Sequence, residues 1–138
     1  MALKVELKPG ERIIIGDSLI RNDNQRTRLF IEGSAPILRE KDILRPESAD
    51  TPAKRIYLAV QLMYLSGSID RIKDQYLDLI RDLVAAAPST TPLIREVSTY
   101  LATDEFYKAL KAAKKLIDYE GMLLSYVQSG NAGVPDSE

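Results

Sequence analysis

The stretch DTPAKRIYLAVQLMYLSG, Asp50 to Gly67, decides the helical part of the fold. Its start is typical of a helix, because Asp50 or Thr51 can accept hydrogen bonds from the free N–H groups of a first turn. Pro52 suits the first helical position. Gly67 suits the left-handed residue that ends a helix. The stretch therefore predicts one helix with defined ends.

This predicted helix is apolar around most of its circumference. Ile56, Ala59, Val60 and Met63 lie on one face, and Tyr57, Leu58, Leu62, Tyr64 and Leu65 cover most of the rest. A helix that is apolar nearly all round in a soluble chain must be buried on several sides. We therefore predict that it is the core helix between a β-rich N-terminal part and the other helices.

Composition narrows the class of protein. The chain has 138 residues, a net charge of −1, no cysteine and no histidine. This length accommodates one large domain or two small ones. A near-neutral chain does not bind nucleic acid through overall charge alone. Without cysteine and histidine it has no disulfides and no zinc site of the usual kind, and we predict no cofactor.

The first 45 residues carry the pattern of β-strands. About five short strands are predicted, at residues 3–7, 12–15, 19–20, 25–31 and 36–44. Asn22-Asp23-Asn24 predicts a hairpin turn between the third and the fourth. Together these strands predict a small antiparallel meander or open barrel. A sheet this small needs a partner, either a helix of the same chain or a second copy, and we expect a homodimer.

The rest of the chain predicts helices. Residues 45–49 form a junction, and a second helix over residues 69–86 is capped by Ser68. A third helix has Thr91 as its cap, and Thr103 caps the last one, while residues 129–138 predict a disordered tail. The predicted fold class is α+β, with an antiparallel β-module over residues 1–45 and a four-helix domain over residues 46–128.

Sequence motifs of catalysis are absent. The chain contains no GxSxG, GxxxxGK or GxGxxG, so we predict that it is not an enzyme. Asp70, Asp74, Asp78 and Asp82 align on one helix face, but Lys73 and Arg81 lie beside them, which favours a solvated face over a metal site. The N-terminus lacks the pattern of a signal peptide, and no stretch resembles a membrane span. We expect a cytoplasmic protein without a membrane partner.

One predicted strand face combines basic and aromatic side chains. Arg26, Arg28 and Phe30 alternate along the fourth strand, which would present two guanidinium groups and a ring on one surface. Such a surface suits single-stranded RNA, which binds through phosphate contacts and base stacking. The alternative is an ordinary solvated face with Phe30 covered by a helix. Residues 1–45 hold nine Lys or Arg against seven acids, and this sign agrees with RNA.

Four longer stretches point to a family. They are MALKVELKPGERIIIGDSLI, TRLFIEGSAPILREKDI, SADTPAKRIYLAVQLMYL and FYKALKAAKKLIDYE. On these stretches the chain closely resembles the FlbT family of flagellin-expression regulators of alphaproteobacteria, over about residues 1–127. The resemblance implies binding to the 5′ untranslated region of flagellin mRNA, with altered stability or translation and mostly repression. It also implies the flagellar regulator FlaF as a protein partner.

A second resemblance concerns the N-terminal part alone. PGERIIIGD, residues 9–17, is similar to the start of the CsrA family of small RNA-binding translational regulators, whose members are dimers of interleaved strands. On that pattern Lys8 occupies a basic position of the first strand, and Arg39 is the arginine of the last. Leu7 stands where that family has a second basic residue. The resemblance implies a shared fold and RNA contacts through Lys8 and Arg39.

Two hypotheses follow, from different classes of function. The first is an RNA-binding regulator, whose candidate RNA-binding residues are Lys8, Arg26, Arg28, Phe30, Arg39, Lys54 and Arg55. Lys54 and Arg55 are included because they lie at the exposed start of the predicted core helix. The second is a protein-interaction adaptor or chaperone-like partner, acting with FlaF and flagellin through the apolar helix surface and the tyrosines.

Overall fold

The computed structural model describes residues 2–128, which form five strands followed by four α-helices. The strands are β1 (Ala2–Leu7), β2 (Arg12–Ile15), β3 (Ser18–Arg21), β4 (Thr27–Glu32) and β5 (Ile37–Arg39). The helices are α1 (Pro52–Ser66), α2 (Lys73–Ala86), α3 (Thr91–Ala102) and α4 (Phe106–Gln128). The predicted α+β class is confirmed. The tail predicted over residues 129–138 lies outside the described residues.

The chain divides into two compact units, which we call the β unit, ending at Ile43, and the helical unit, beginning at Leu44. The β unit contains two antiparallel sheets, one of β1 and β4 and the other with strand order β3-β2-β5. Its buried core consists of Val5, Leu7 and Ile13. Val5 lies opposite Leu29 on β4, and these two side chains are less exposed than their neighbours along each strand.

The hairpin predicted between the third and fourth strands is wrong. β3 pairs with β2 and β4 pairs with β1, so residues 22–26 cross from one sheet to the other. The Asn22 side chain holds this crossing, because its Nδ2 donates to the carbonyl oxygens of Lys8 (2.9 Å) and Gln25 (2.8 Å). The predicted meander is wrong for the same reason, since only β2 and β3 pair as sequence neighbours.

The ends of α1 confirm the prediction from the sequence. Thr51 is the N-cap, and its Oγ1 accepts a hydrogen bond from the Lys54 backbone N–H at 3.2 Å. Pro52 occupies the first turn. Its missing N–H costs no hydrogen bond there, because the N–H groups of the first turn have no acceptor within the helix. Gly67 has φ of 74°, a left-handed conformation that glycine adopts without a steric penalty. These local signals set both ends of the helix.

The burial of α1 is less complete than predicted. Ile56, Val60 and Met63 are buried, and the helix packs against α2 and α4. Leu62, in contrast, is 44% exposed, so one side of the helix faces solvent. The buried Gln61 side chain forms two hydrogen bonds with the backbone of Leu44, which the sequence pattern did not indicate. Its Oε1 accepts the N–H of Leu44 at 2.8 Å, and its Nε2 donates to the Leu44 carbonyl at 3.1 Å.

Two helix starts differ from prediction. α2 begins at Lys73 rather than Ile69, because Ser68 accepts the N–H of Asp70 at 3.1 Å and so closes a separate turn. α3 begins at Thr91, with Thr90 as its N-cap residue. Thr90 is buried and its hydroxyl donates to the Ala87 carbonyl at 2.7 Å. Both shifts come from hydroxyl groups that stabilise a preceding turn instead of capping the helix.

The buried apolar residues of α2, α3 and α4 recur at helical spacing. They include Tyr76, Leu83, Ile94, Val97, Leu101, Leu110, Ala113 and Leu116. Tyr107 is exposed, and its ring centroid lies 5.7 Å from that of Tyr64. Thr103 ends α3 rather than capping α4, since its hydroxyl donates to the Tyr100 carbonyl. Across residues 2–128, no helix is apolar and long enough to cross a bilayer.

Candidate nucleic-acid interface

Basic side chains of the β unit converge on one groove of about 420 Å³, which we call the basic groove. It is lined by Glu6, Lys8, Glu11, Arg26, Arg39 and Lys41. Lys8 follows β1, Arg26 precedes β4 and Arg39 ends β5, so strand pairing brings together residues from distant parts of the chain. Four cations face two carboxylates, which gives the groove a net positive charge.

A second recess, of about 410 Å³, adjoins the basic groove. Its lining is Lys8, Pro9, Gly10, Glu11, Glu40 and Lys41, and it shares Lys8, Glu11 and Lys41 with the groove. Glu40 accepts the backbone N–H of Arg12, which fastens the segment after β5 to the start of β2. The two recesses therefore form adjoining parts of one polar surface.

Arg39 lines the groove and also stabilises its structure. Its Nη2 donates to the Glu6 carbonyl at 2.9 Å and lies 3.7 Å from a carboxylate oxygen of Glu11. The other carboxylate oxygen of Glu11 accepts the backbone N–H of Lys8 at 2.8 Å. Arg39 thus holds the end of β5 against β1. Its half-exposed side chain still faces the groove.

Arg28 and Phe30 project from the outward face of β4. Arg28 lies opposite Glu6 in the β1–β4 pair, with 3.2 Å between Nη2 and Oε2. Such an exposed pair contributes at most about 1 kcal/mol and weakens with salt. Phe30 is 64% exposed and lies opposite Lys4. The alternative in which a helix covers Phe30 is therefore wrong.

Lys8 and Arg26 are the cations best placed to meet a phosphate. Arg26 precedes β4 rather than lying on it, so its side chain belongs to the groove and not to the strand face of Arg28 and Phe30. Both Lys8 and Arg26 are exposed. Between residues 2 and 128, neither side chain takes part in an ion pair. Their charges are thus available to an external anion.

Lys54 and Arg55 belong to the helical unit and do not line the groove. Both lie in the first turn of α1. Lys54 Nζ is 3.4 Å from Asp50 Oδ1, an i,i+4 ion pair on the surface. Arg55 is exposed. Of the seven candidate RNA-binding residues, the structure brings Lys8, Arg26 and Arg39 together in the β unit, whereas these two belong to the helical unit.

Sequence reasoning missed Lys41 and the two carboxylates of the groove. Lys41 lies two residues after Arg39, and this short spacing is the only local signal that could have included it. Glu6 and Glu11 meet Arg28 and Arg39 only once β1 pairs with β4 and β2 pairs with β5. In the part of the chain that the structure describes, no cluster of acidic side chains is arranged to hold a metal ion.

A family model described as "Flagellar protein FlbT" matches residues 3–124, from β1 into α4. The chain belongs to the FlbT family. This match confirms the family predicted from the sequence, and it spans both units. No solved structure matches the chain.

Curated FlbT relatives cover nearly the whole chain. One is the "Probable flagellum biosynthesis repressor protein FlbT 1" of Bradyrhizobium diazoefficiens, 55% identical over 124 residues, with 89% of this chain and 85% of the relative covered. A Rhodopseudomonas palustris relative, named "Probable flagellum biosynthesis repressor protein FlbT", is 51% identical over 91% of this chain and 99% of its own length. The "Flagellum biosynthesis repressor protein FlbT" of Caulobacter vibrioides is 33% identical over 94% of each chain.

Proposed function

We propose that this protein regulates flagellar synthesis by binding the 5′ untranslated region of flagellin mRNA and repressing its expression through altered stability or translation. FlbT membership and the names of the relatives, flagellum biosynthesis repressors, support the regulatory part of the proposal. The RNA part rests on the chemistry of the β unit. FlaF is the protein partner that we propose for the same regulation.

The observation that carries the RNA proposal is the convergence of Lys8, Arg26, Arg39 and Lys41 on one groove. Single-stranded RNA is bound by cations that follow its backbone and by aromatic rings that stack on its bases. Phe30 supplies an exposed ring on the β1–β4 sheet. Arg28 lies on the same strand, between Phe30 and the crossing segment of residues 22–26. The β unit therefore offers both kinds of contact.

The two carboxylates of the groove decide which of the nearby cations remain available to a phosphate. Glu6 and Glu11 already pair with Arg28 and Arg39, so part of that positive charge is compensated within the protein. Lys8 and Arg26 are not compensated in this way. We therefore expect a phosphate to bind at Lys8 and Arg26 rather than at the cations that Glu6 and Glu11 already pair.

Replacing Lys8 and Arg26 together with alanine is expected to weaken binding to flagellin leader RNA about tenfold near 0.15 M salt, because two phosphate contacts are lost. The slope of log affinity against log salt concentration is expected to become shallower by about 1.4, because each phosphate contact to a single strand contributes roughly 0.7 to that slope. Gel-shift titrations at a series of salt concentrations measure both quantities.

Arg71→Ala with Lys73→Ala is the matched control, since it removes the same charge from exposed positions of the helical unit. Its RNA affinity is expected to equal that of the unmodified protein. A folded Lys8 and Arg26 double variant with unchanged affinity and salt dependence would refute the basic groove as the RNA site. Lys54→Ala with Arg55→Ala tests separately whether α1 adds RNA contacts.

An apolar groove in the helical unit favours a second candidate function, a protein-interaction adaptor acting with FlaF and flagellin. The groove has a volume of about 250 Å³ and is lined by Met63, Ile69, Lys73, Tyr76, Leu77, Ser98, Leu101 and Ala102. Tyr76 hydrogen-bonds Ser98 at 2.8 Å, and burial raises the pKa of its hydroxyl. Apolar grooves between helices receive the apolar side chains of partner segments.

Leu77→Glu in the full chain is expected to reduce co-purification with FlaF or flagellin at least tenfold, because it places a charge in the apolar groove. RNA affinity is expected to stay unchanged. Leu62→Glu is the control, because Leu62 is 44% exposed, close to the 39% of Leu77, but does not line the groove. Equal loss of co-purification in both variants, or in neither, would argue against this groove as the partner site.

A further inference from the structure

Strand β3 leaves one edge of its sheet without a partner strand. β3 pairs only with β2 among the described strands, and all four of its residues are exposed. The ladder continues past β3, where the Asn22 N–H donates to the Glu11 carbonyl at 2.8 Å. Since alternate residues of an antiparallel strand direct their N–H and C=O groups to opposite sides, Leu19 and Arg21 direct theirs to the open edge.

This edge is also apolar. Leu19 is 59% exposed, and Ile20 beside it is exposed as well. Proteins commonly protect an edge strand by keeping it very short or with charged side chains, proline or a bulge. β3 is short and ends in the charged Arg21, but Ser18, Leu19 and Ile20 carry neither a charge nor a proline. An unpaired edge with exposed apolar side chains is suited to pairing with another strand.

We propose that β3 pairs with β3 of a second copy of this chain, antiparallel, about a two-fold axis at Leu19. In this arrangement Leu19 exchanges both backbone hydrogen bonds with the partner's Leu19. Asp17 lies opposite the partner's Arg21, and the symmetry repeats that ion pair. An interface of this kind is formed by the same surface on both copies and closes as a dimer.

Charge selects this register over its neighbours. Moving the axis to Ile20 places Asp17 opposite the partner's Asp23, and moving it to Arg21 places two arginines opposite each other. Like charges directly opposite destabilise a strand pair, whereas opposite charges stabilise it. Of these three registers, only the one with its axis at Leu19 places opposite charges across the edge of β3.

The resulting dimer contains one continuous six-stranded sheet, β5-β2-β3 in each copy. Pairing along five residues buries less than the roughly 1,200 Å² of a stable interface, so we expect a weak dimer that forms at high protein concentration. This dimer does not depend on the RNA proposal, because Lys8 and Arg26 lie outside β3.

Leu19→Cys tests the axis directly, since the chain contains no other cysteine. Hydrogen-bonded residues across an antiparallel pair have Cα atoms about 5.5 Å apart, inside the roughly 4.4–6.8 Å that a disulfide spans. Mild oxidation is expected to yield a covalent dimer. Leu3→Cys, exposed to 48% on β1, is the control and is expected to remain mostly monomeric.

A charge exchange tests the register. Arg21→Asp alone is expected to weaken self-association at least tenfold in sedimentation equilibrium, and Asp17→Arg added to it is expected to restore the dimer. Failure of the double variant to restore association overturns the register. A chain that stays monomeric at several hundred micromolar, or a Leu3→Cys variant that crosslinks as readily as Leu19→Cys, overturns the interface.

Discussion

Glu120→Ala is expected to destabilise the helical unit by about 3 kcal/mol, because a buried donor at the start of α1 loses its acceptor. Glu120 lies on α4 and is 7% exposed, and its Oε2 accepts the backbone N–H of Ala53 at 2.9 Å. Ala53 itself is fully buried, so water cannot replace the carboxylate. The negative charge also lies at the positive end of the α1 dipole.

Urea unfolding followed by circular dichroism at 222 nm measures this loss, since most of the helical signal comes from this unit. Glu120→Gln is expected to cost about 1 kcal/mol, because an amide oxygen still accepts the bond but carries no charge. Asp118→Ala, an exposed change on the same helix, is expected to stay within about 0.5 kcal/mol. Equal midpoints for Glu120→Ala and Asp118→Ala would contradict the role of Glu120.

Asn22→Ala is expected to destabilise the β unit by about 2–3 kcal/mol, because one side chain organises the crossing between its two sheets. Its Oδ1 accepts the N–H of Asp23 and the hydroxyl of Thr27, both at 2.9 Å. Its Nδ2 donates to the carbonyls of Lys8 and Gln25. Alanine removes all four of these bonds, although the Lys8 carbonyl still accepts the Glu11 N–H and the Thr27 hydroxyl still donates to the Gln25 carbonyl.

Hydrogen exchange of peptides from residues 3–31, read by mass spectrometry, measures the change locally. Asn24→Ala is the matched control, because Asn24 lies in the same crossing and makes none of these bonds. Protection is expected to fall in the Asn22 variant and to persist in the control. Asn22 also bonds the backbone on both sides of the groove, at Lys8 and next to Arg26, so RNA affinity is expected to fall with protection. Unchanged protection in Asn22→Ala would show that strand pairing alone holds the crossing.

The two units allow the two functional proposals to be separated. The cations Lys8 and Arg26 lie in the β unit, whereas the apolar groove at Leu77 lies in the helical unit. Loss of RNA binding without loss of partner binding, and the reverse, are expected from the corresponding variants. A single change in a folded variant that abolished both would indicate that the two binding sites are coupled.

The sequence by itself determined the elements whose signals are local. The ends of α1 followed from Thr51, Pro52 and Gly67, because capping and left-handed closure depend on neighbouring residues alone. The patterns of residues 3–7 and 25–31 predicted β1 and β4, because the alternation of side chains between the two faces of a strand is a local signal. The FlbT family followed from the same continuous stretches.

Tertiary structure decided everything that joins distant residues. β4 joins β1 instead of β3, with the Asn22 amide bonded across the crossing, and no local turn signal distinguishes these outcomes. Contact between the two sheets brought Arg39 of β5 to Glu6 of β1, 33 residues earlier, at the basic groove. Glu120 meets Ala53 across 67 residues in the helical unit. Buried polar groups must find partners wherever the fold places them, so these contacts depend on the packed chain and not on sequence spacing.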